Sequence, residues 1–225
     1  MVFFLVNKIG YKTETDRLAK ATRLTFFATL INSTLIPILS TANLTEQGIN
    51  FGQNSLFYDF NMKWFKLTGN VILHAQIFNI TLPIIIFFVM ASIRKFNRLS
   101  DRSWTLDKYK TKTKTITAYI NLYSGPEFLL HFKYNALLVD VFVTMTFGFG
   151  MPLLFPICVV SFCVRYVLDT ACLHYSFRAP PSYDKEIASQ VYSLLLLAPA
   201  FYLSFAYWMS SNLQLSSNAF LKPII

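Results

Sequence analysis

The sequence predicts an all-α, polytopic membrane protein with about five membrane-spanning helices and a cytoplasmic loop that is basic and amphipathic. Two features of composition favour this class: 54% of the 225 residues are hydrophobic and only 14% are charged, whereas soluble domains are usually about a quarter charged. The third feature is the 23 Phe residues. So many rings exceed what one small water-soluble core holds, so lipid or partner helices must cover many of them.

One apolar region, 135–177, is too long for a single membrane crossing. Gly148, Gly150 and Pro152 cluster near its middle, where glycine and proline favour a turn. We therefore divide this region into a third and a fourth helix. The expected spans, each near the roughly 20 residues that a bilayer requires, are 24–42, 71–93, 134–150, 152–175 and 187–209.

The distribution of Lys and Arg predicts the orientation. The stretch 94–114 is the most basic part of the chain and is therefore expected on the cytoplasmic side. The net positive segment 1–23 is expected there too, which leaves 24–225 as a single membrane domain. We interpret 116–133, which follows the basic stretch, as an amphipathic segment along the membrane surface. Because basic residues near a surface attract anionic lipids, we expect 94–114 to contact anionic head groups.

The charge pattern and the reactive residues argue against several other classes. The net charge of +9 comes from residues that lie between apolar runs, so we expect no nucleic-acid partner. Cys158, Cys163 and Cys172 match no metal-binding spacing, so neither a metal nor another cofactor is expected. The sequence contains no recognisable hydrolase, metalloprotease or phosphate-loop motif. We therefore predict that the chain is not an enzyme.

Polar side chains recur inside four of the predicted spans. In lipid such groups are costly, so they should face other helices or a wet cavity. Each could therefore line a permeation path or form an interhelical hydrogen bond. Arg165 and Asp169 stand four residues apart, a spacing suited to an intramembrane ion pair. The candidate pore-lining residues are Asn32, Gln76, Asn79, Asp140 and Thr144.

Proline and glycine mark places where the spans could bend. Broken helices occur around transport pathways, although ordinary packing kinks are an equally open explanation. The hinge candidates are Gly148, Gly150, Pro152 and Pro156. Separately, Asn43 begins an Asn-Leu-Thr triplet on the predicted outer side, which makes it a candidate for glycosylation.

Residues from Tyr119 to about Glu186 resemble the pore region of a known channel family. The motifs are Gly125-Pro126-Glu127-Phe128, the Met151–Pro156 run Met-Pro-Leu-Leu-Phe-Pro, and Val164-Arg165-Tyr166-Val167 followed by Tyr175. They are similar to motifs of the OSCA-like, osmosensitive, calcium-permeable, stress-gated cation channels, relatives of the anoctamins and transmembrane channel-like proteins. The resemblance covers about a third of the chain, and members of the family are far longer.

The resemblance implies a partial pore domain of a mechanically or osmotically gated cation channel, or of a related lipid scramblase. It also implies a multi-pass protein of the plasma membrane or another eukaryotic cell membrane. The expected partners are then membrane lipids, cations and other membrane helices or subunits. The alternative is a non-catalytic structural subunit of a larger membrane protein complex, whose aromatic residues pack on partner helices.

Overall fold

The computed structural model describes residues 14–42, 57, 60–105, 110–125, 128–175, 177–178 and 185–211, and these form helices without a named strand. The all-α prediction is confirmed for this part of the chain. Helix α1 consists of Glu14–Leu30, the π-helical turn Ile31–Leu35 and Ile36–Thr41; α2 consists of Met62–Trp64, the π-helical turn Phe65–Gly69 and Asn70–Asp101; α3 is Ile116–Ser124, α4 Leu130–Phe147, α5 Leu154–Tyr175, α6 Lys185–Leu195 and α7 Ala198–Ser210.

Four stretches of the described chain are long and apolar enough to cross a membrane. They are Asp16–Thr41, Met62–Asp101, Leu154–Tyr175 and Ile187–Ser210. The predicted third span, now α4, is not among them, because Lys133, Asn135 and Asp140 lower its mean hydropathy.

The structure extends the second predicted span at both ends. Helix α2 reaches Asp101, so the first part of the basic stretch 94–114 is helix and not loop. The Arg and Lys residues here are good helix formers, and no proline or glycine follows before the end of the helix. The helix stops where Ser103 and Trp104 adopt positive φ angles of 53° and 61°, a conformation that a right-handed helix does not contain.

The fifth predicted span, 187–209, is divided in two. Helix α6 ends at Leu195 and α7 begins at Ala198. Pro199 explains the break, since it has no N–H to donate to the carbonyl of Leu195 and its ring collides with the preceding turn. Leu197 N instead donates to Leu194 O at 3.0 Å, as in a tight turn.

Contacts divide the chain into two units. Unit 1 comprises Met1–Ile77, Leu130–Val159 and Tyr183–Ile225, and unit 2 comprises Phe78–Leu129 and Val160–Ser182.

Helix α4 is the centre of unit 1. From His131 to Gly148 only Phe132 is exposed, and α1, α6 and α7 all pack against this helix. Phe142 lies between two rings, with centroids 4.9 Å from Phe26 of α1 and 5.2 Å from Phe201 of α7. The buried row of α1 repeats every four residues: Leu18, Thr22, Phe26, Leu30, Thr34 and Ile38.

Unit 2 is built from the second part of α2, helix α3 and most of α5. In this part of α5 the less exposed residues recur at helical spacing and include Ser161, Arg165, Asp169 and Cys172. These are the same four residues that form one polar row in the sequence.

Candidate functional site

Helix α4 carries several buried polar side chains of unit 1. His131, Asn135, Asp140 and Thr144 are all less than a tenth exposed. Thr29 Oγ1 of α1 donates to Thr25 O of its own helix at 2.6 Å and lies 3.4 Å from Asn135 Oδ1 of α4. The contact places a polar side chain of each helix at the α1–α4 interface, where burial of an unsatisfied polar group would be costly.

Two threonines of α4 donate to the backbone of their own helix. Thr144 Oγ1 donates to Asp140 O, and Thr146 Oγ1 donates to Phe142 O, each at 2.7 Å. This i to i−4 bond satisfies the hydroxyl in an apolar environment and often bends a helix slightly. The two residues stand on nearly opposite sides of α4, so they form a matched pair with different surroundings.

The five candidate pore-lining residues occupy different environments. In unit 1, Gln76, Asp140 and Thr144 are buried, whereas Asn32 is exposed. Asn79 belongs to unit 2 and is half-buried. The structure therefore brings Asp140 and Thr144 together on one helix, and a pore-lining role for the whole set stays a prediction.

Thr34, like Thr22, is a buried polar residue of α1 that the sequence pattern did not single out. It is 2% exposed, and its Oγ1 donates to Leu30 O at 2.7 Å. Thr34 lies four residues after Leu30 and so continues the buried row of α1, whereas Asn32 lies on the exposed side of the helix. The four-residue spacing of that row was the available signal.

In unit 2, Arg165 contacts the backbone next to a helical proline. Pro83 lies inside α2 and lacks the N–H that would donate to the carbonyl of Asn79. Arg165 Nη2 donates to Asn79 O at 3.4 Å, and Arg165 Nε donates to Ser161 Oγ at 3.2 Å. The arginine thus supplies the donor that the proline removes. The ion pair of Arg165 with Asp169 stays a prediction.

The four hinge candidates surround the α4–α5 connection. Gly148 and Gly150 lie in the turn and Pro152 follows them. Pro156 stands in the first turn of α5, where a missing N–H breaks no helical hydrogen bond. At Gly150 an added Cβ would come within 2.5 Å of the Phe65 ring. Glycine is therefore required there by close packing, and the hinge role of these residues is untested.

Asp101 ties the end of α2 to the segments that follow it in unit 2. Its carboxylate accepts hydrogen bonds from Thr111 Oγ1 at 2.7 Å and from Tyr123 OH at 3.2 Å. The guanidinium carbons of Arg98 and Arg102 lie 5.5 and 5.7 Å from the Tyr123 ring centroid, within the range of cation–π attraction. The described part of the basic stretch is therefore anchored against α3.

Other sequence predictions concern sites that can be located only in part. The glycosylation candidate Asn43 lies outside the described residues. Cys158, Cys163 and Cys172 carry thiols that are not joined in disulfides. Within the residues that the structure describes, no group of three or more His, Cys, Asp or Glu side chains could hold a metal ion.

Comparisons with known proteins return no relative. No protein-family model, curated protein sequence or solved structure matches this chain.

Proposed function

We propose that this chain is a partial pore domain of a mechanically or osmotically gated cation channel that crosses the membrane about five times. The observation that carries the proposal is α4, a helix with buried polar side chains that packs among helices rich in apolar residues. Helix α4 has 18 residues and measures about 27 Å at 1.5 Å per residue, close to the hydrocarbon thickness. A span that is covered by other helices can be more polar than one that faces lipid.

Interrupted helical backbone around α4 supports the gating part of the proposal. In unit 1, α1 contains a π-helical turn, α2 contains another, and α6 and α7 are separated by a break. Such interruptions leave a helix with fewer hydrogen bonds to lose when it bends. Bilayer tension would tilt these segments and open a path beside Asp140 and Thr144. The OSCA-like motifs of the sequence support the same proposal. The resemblance also implies lipid scrambling as a related activity.

The test is current through liposomes that contain the purified full chain and are stretched by suction. The matched variants are Thr144→Val and Thr146→Val, since both remove a hydroxyl bonded to its own helix backbone. We expect Thr144→Val to change the single-channel conductance at least twofold and Thr146→Val to leave it unchanged. The reason is that only Thr144 shares a face with Asp140, whose charge would attract cations.

Silent membranes under tension, or equal effects of the two variants, would contradict the pore assignment. Movement of labelled lipid between leaflets in the same liposomes distinguishes scrambling from conduction. If the wild-type chain moves lipid between leaflets but carries no current, the channel proposal is wrong and the chain is a scramblase.

The exposed surface of α2 favours a second candidate, a non-catalytic structural subunit of a larger membrane complex. Its large apolar side chains extend around the helix, and several of them, among them Val71, Phe88 and Phe96, are more than half exposed. In such a subunit partner helices would cover these side chains. Purification of a stable, stoichiometric assembly that carries no current would favour this candidate over the channel.

A further inference from the structure

Unit 1 contains an apolar groove between the end of α1 and the start of α2. The groove has a volume of about 460 Å³ and is lined mainly by apolar side chains, among them Pro37 from α1 and Leu67 and Val71 from α2, together with Phe57. This volume lies in the range of roughly 300–1,000 Å³ typical of small-molecule sites.

Hydrogen bonds hold the two walls of the groove together. Trp64 Nε1 of α2 donates to Thr41 Oγ1 of α1 at 3.0 Å, and Thr41 Oγ1 donates to Pro37 O at 2.8 Å. Phe57 N donates to Thr41 O at 3.2 Å, which fixes Phe57 beside the end of α1. The groove is therefore built by mutually bonded elements.

Two lysines border the groove at one end. A second pocket of about 440 Å³ shares Phe57 and Leu67 with the groove and is also lined by Lys63 and Lys66. Both lysines are exposed. They precede the apolar part of α2, whereas Val71 lies one to two helical turns further along it. Positive charge thus stands at the polar end of an apolar groove.

We propose that this groove binds an anionic phospholipid of the surrounding bilayer, with the phosphate at Lys63 and Lys66 and an acyl chain along Pro37, Leu67 and Val71. Charge complementarity selects this occupant, because the ammonium groups of two lysines form charge-assisted hydrogen bonds with a phosphate. The apolar side chains of the groove are more stable in contact with an acyl chain than in contact with water. The site requires only that the chain is embedded in a membrane and does not depend on conduction.

The test uses Trp64, which donates to a residue of the groove wall. Replacing Trp104 and Trp208 by Phe leaves Trp64 as the only Trp of the chain. In the full chain reconstituted into vesicles, we expect brominated phosphatidylglycerol to quench Trp64 fluorescence at least twice as strongly as brominated phosphatidylcholine at equal mole fraction. Trp64 is itself buried, but its Nε1 bonds to Thr41 of the groove wall. Bromine quenches a Trp over a short range, so the signal reports lipid in the groove.

Three variants test the two parts of the site separately. Lys63→Gln with Lys66→Gln should remove the preference for phosphatidylglycerol, whereas Arg178→Gln with Lys185→Gln, which removes the same charge from exposed positions elsewhere, should retain it. Ser40→Phe fills the groove from an exposed position and should reduce quenching by both lipids. Each variant must give the same circular dichroism spectrum as the parent protein, which shows that its helices still form.

Three results would overturn the proposal. Equal quenching by the two lipids would mean that the groove takes any acyl chain without recognising the head group. A preference that persists in the double Lys variant would place the anionic lipid elsewhere. Absence of quenching by either lipid would mean that protein, from this chain or from a second copy, fills the groove.

Discussion

At the residue scale, Arg165 shows how a single side chain can make a proline tolerable inside a helix. The carbonyl that Pro83 leaves without its helical donor is that of Asn79, and Arg165 Nη2 donates to it. An unsatisfied carbonyl in hydrocarbon costs several kcal/mol, so its partner matters more here than on a wet surface. The sequence placed Arg165 on a polar row, but only the fold brings it next to Asn79.

A double-mutant cycle tests this role. Arg165→Met should lower the free energy of unfolding in detergent by about 1.5–3 kcal/mol, the range for hydrogen bonds that involve a charged group. In a Pro83→Ala background the loss should be smaller by about 1 kcal/mol, because the alanine restores the N–H donor. Losses that Arg165→Met causes elsewhere, at Ser161 for example, occur in both backgrounds and cancel.

The control for this cycle pairs Arg165→Met with Pro37→Ala. Pro37 belongs to unit 1 and its effect should add to that of Arg165→Met within about 0.5 kcal/mol. Additivity with Pro83→Ala as well would show that Arg165 does not serve the proline-freed carbonyl.

At the scale of elements, three prolines that look alike in the sequence have three different effects. Pro83 lies within a continuous helix, Pro37 follows a π-helical turn, and Pro199 accompanies a break between two helices. At Pro83 the freed carbonyl of Asn79 accepts from Arg165, a residue distant along the chain. Before Pro199 a tight turn, in which Leu197 N donates to Leu194 O, replaces the helix. Sequence spacing alone does not reveal that Arg165 lies next to Asn79.

Glycine positions test the packing between elements of unit 1. Gly150→Ala should lower the free energy of unfolding by about 1–3 kcal/mol, because its Cβ would lie 2.5–2.6 Å from the Phe65 ring. That ring already packs on Trp64 and Phe60 and has little room to move. The measurement is thermal or denaturant unfolding in detergent.

Gly69→Ala is the comparison for this prediction. Its Cβ would meet the sulfur of Met151 at 2.7 Å, and a flexible thioether can rotate away at low cost. We therefore expect a smaller loss than at Gly150. An equal or larger loss at Gly69 would contradict the view that the stiffness of the neighbour decides the cost.

At the scale of the whole molecule, the exposed apolar surface favours a lipid environment over water. Four helices of the described chain could cross a bilayer, and many large apolar side chains are exposed. We expect the expressed chain to stay in the membrane pellet after extraction at alkaline pH and to leave it only in detergent. Alkaline extraction releases peripheral proteins, which serve as the control. Recovery of the chain in the aqueous fraction would contradict membrane embedding.

The membrane-spanning helices could be predicted from the sequence because hydropathy is a sum over neighbouring residues along the chain. A bilayer requires long runs of apolar residues, and those runs are visible in composition and order alone. The turn at Gly148–Pro152 was predictable for the same reason, since the signal is local. Helix ends were less predictable. The basic residues after Ile93 favour helix on their own account, so α2 continues past the apolar run.

Tertiary structure alone decided which polar residues are buried and what they contact. The sequence identified Asn32, yet Thr34 is the buried polar residue of that turn, because Thr34 continues the face of α1 that the other helices of unit 1 cover. It also gave no indication that α4 lies at the centre of unit 1, since burial of a helix depends on its neighbours. Hydropathy sums over single residues, whereas burial and hydrogen bonding depend on pairs of residues distant along the chain, and only folding brings those pairs together.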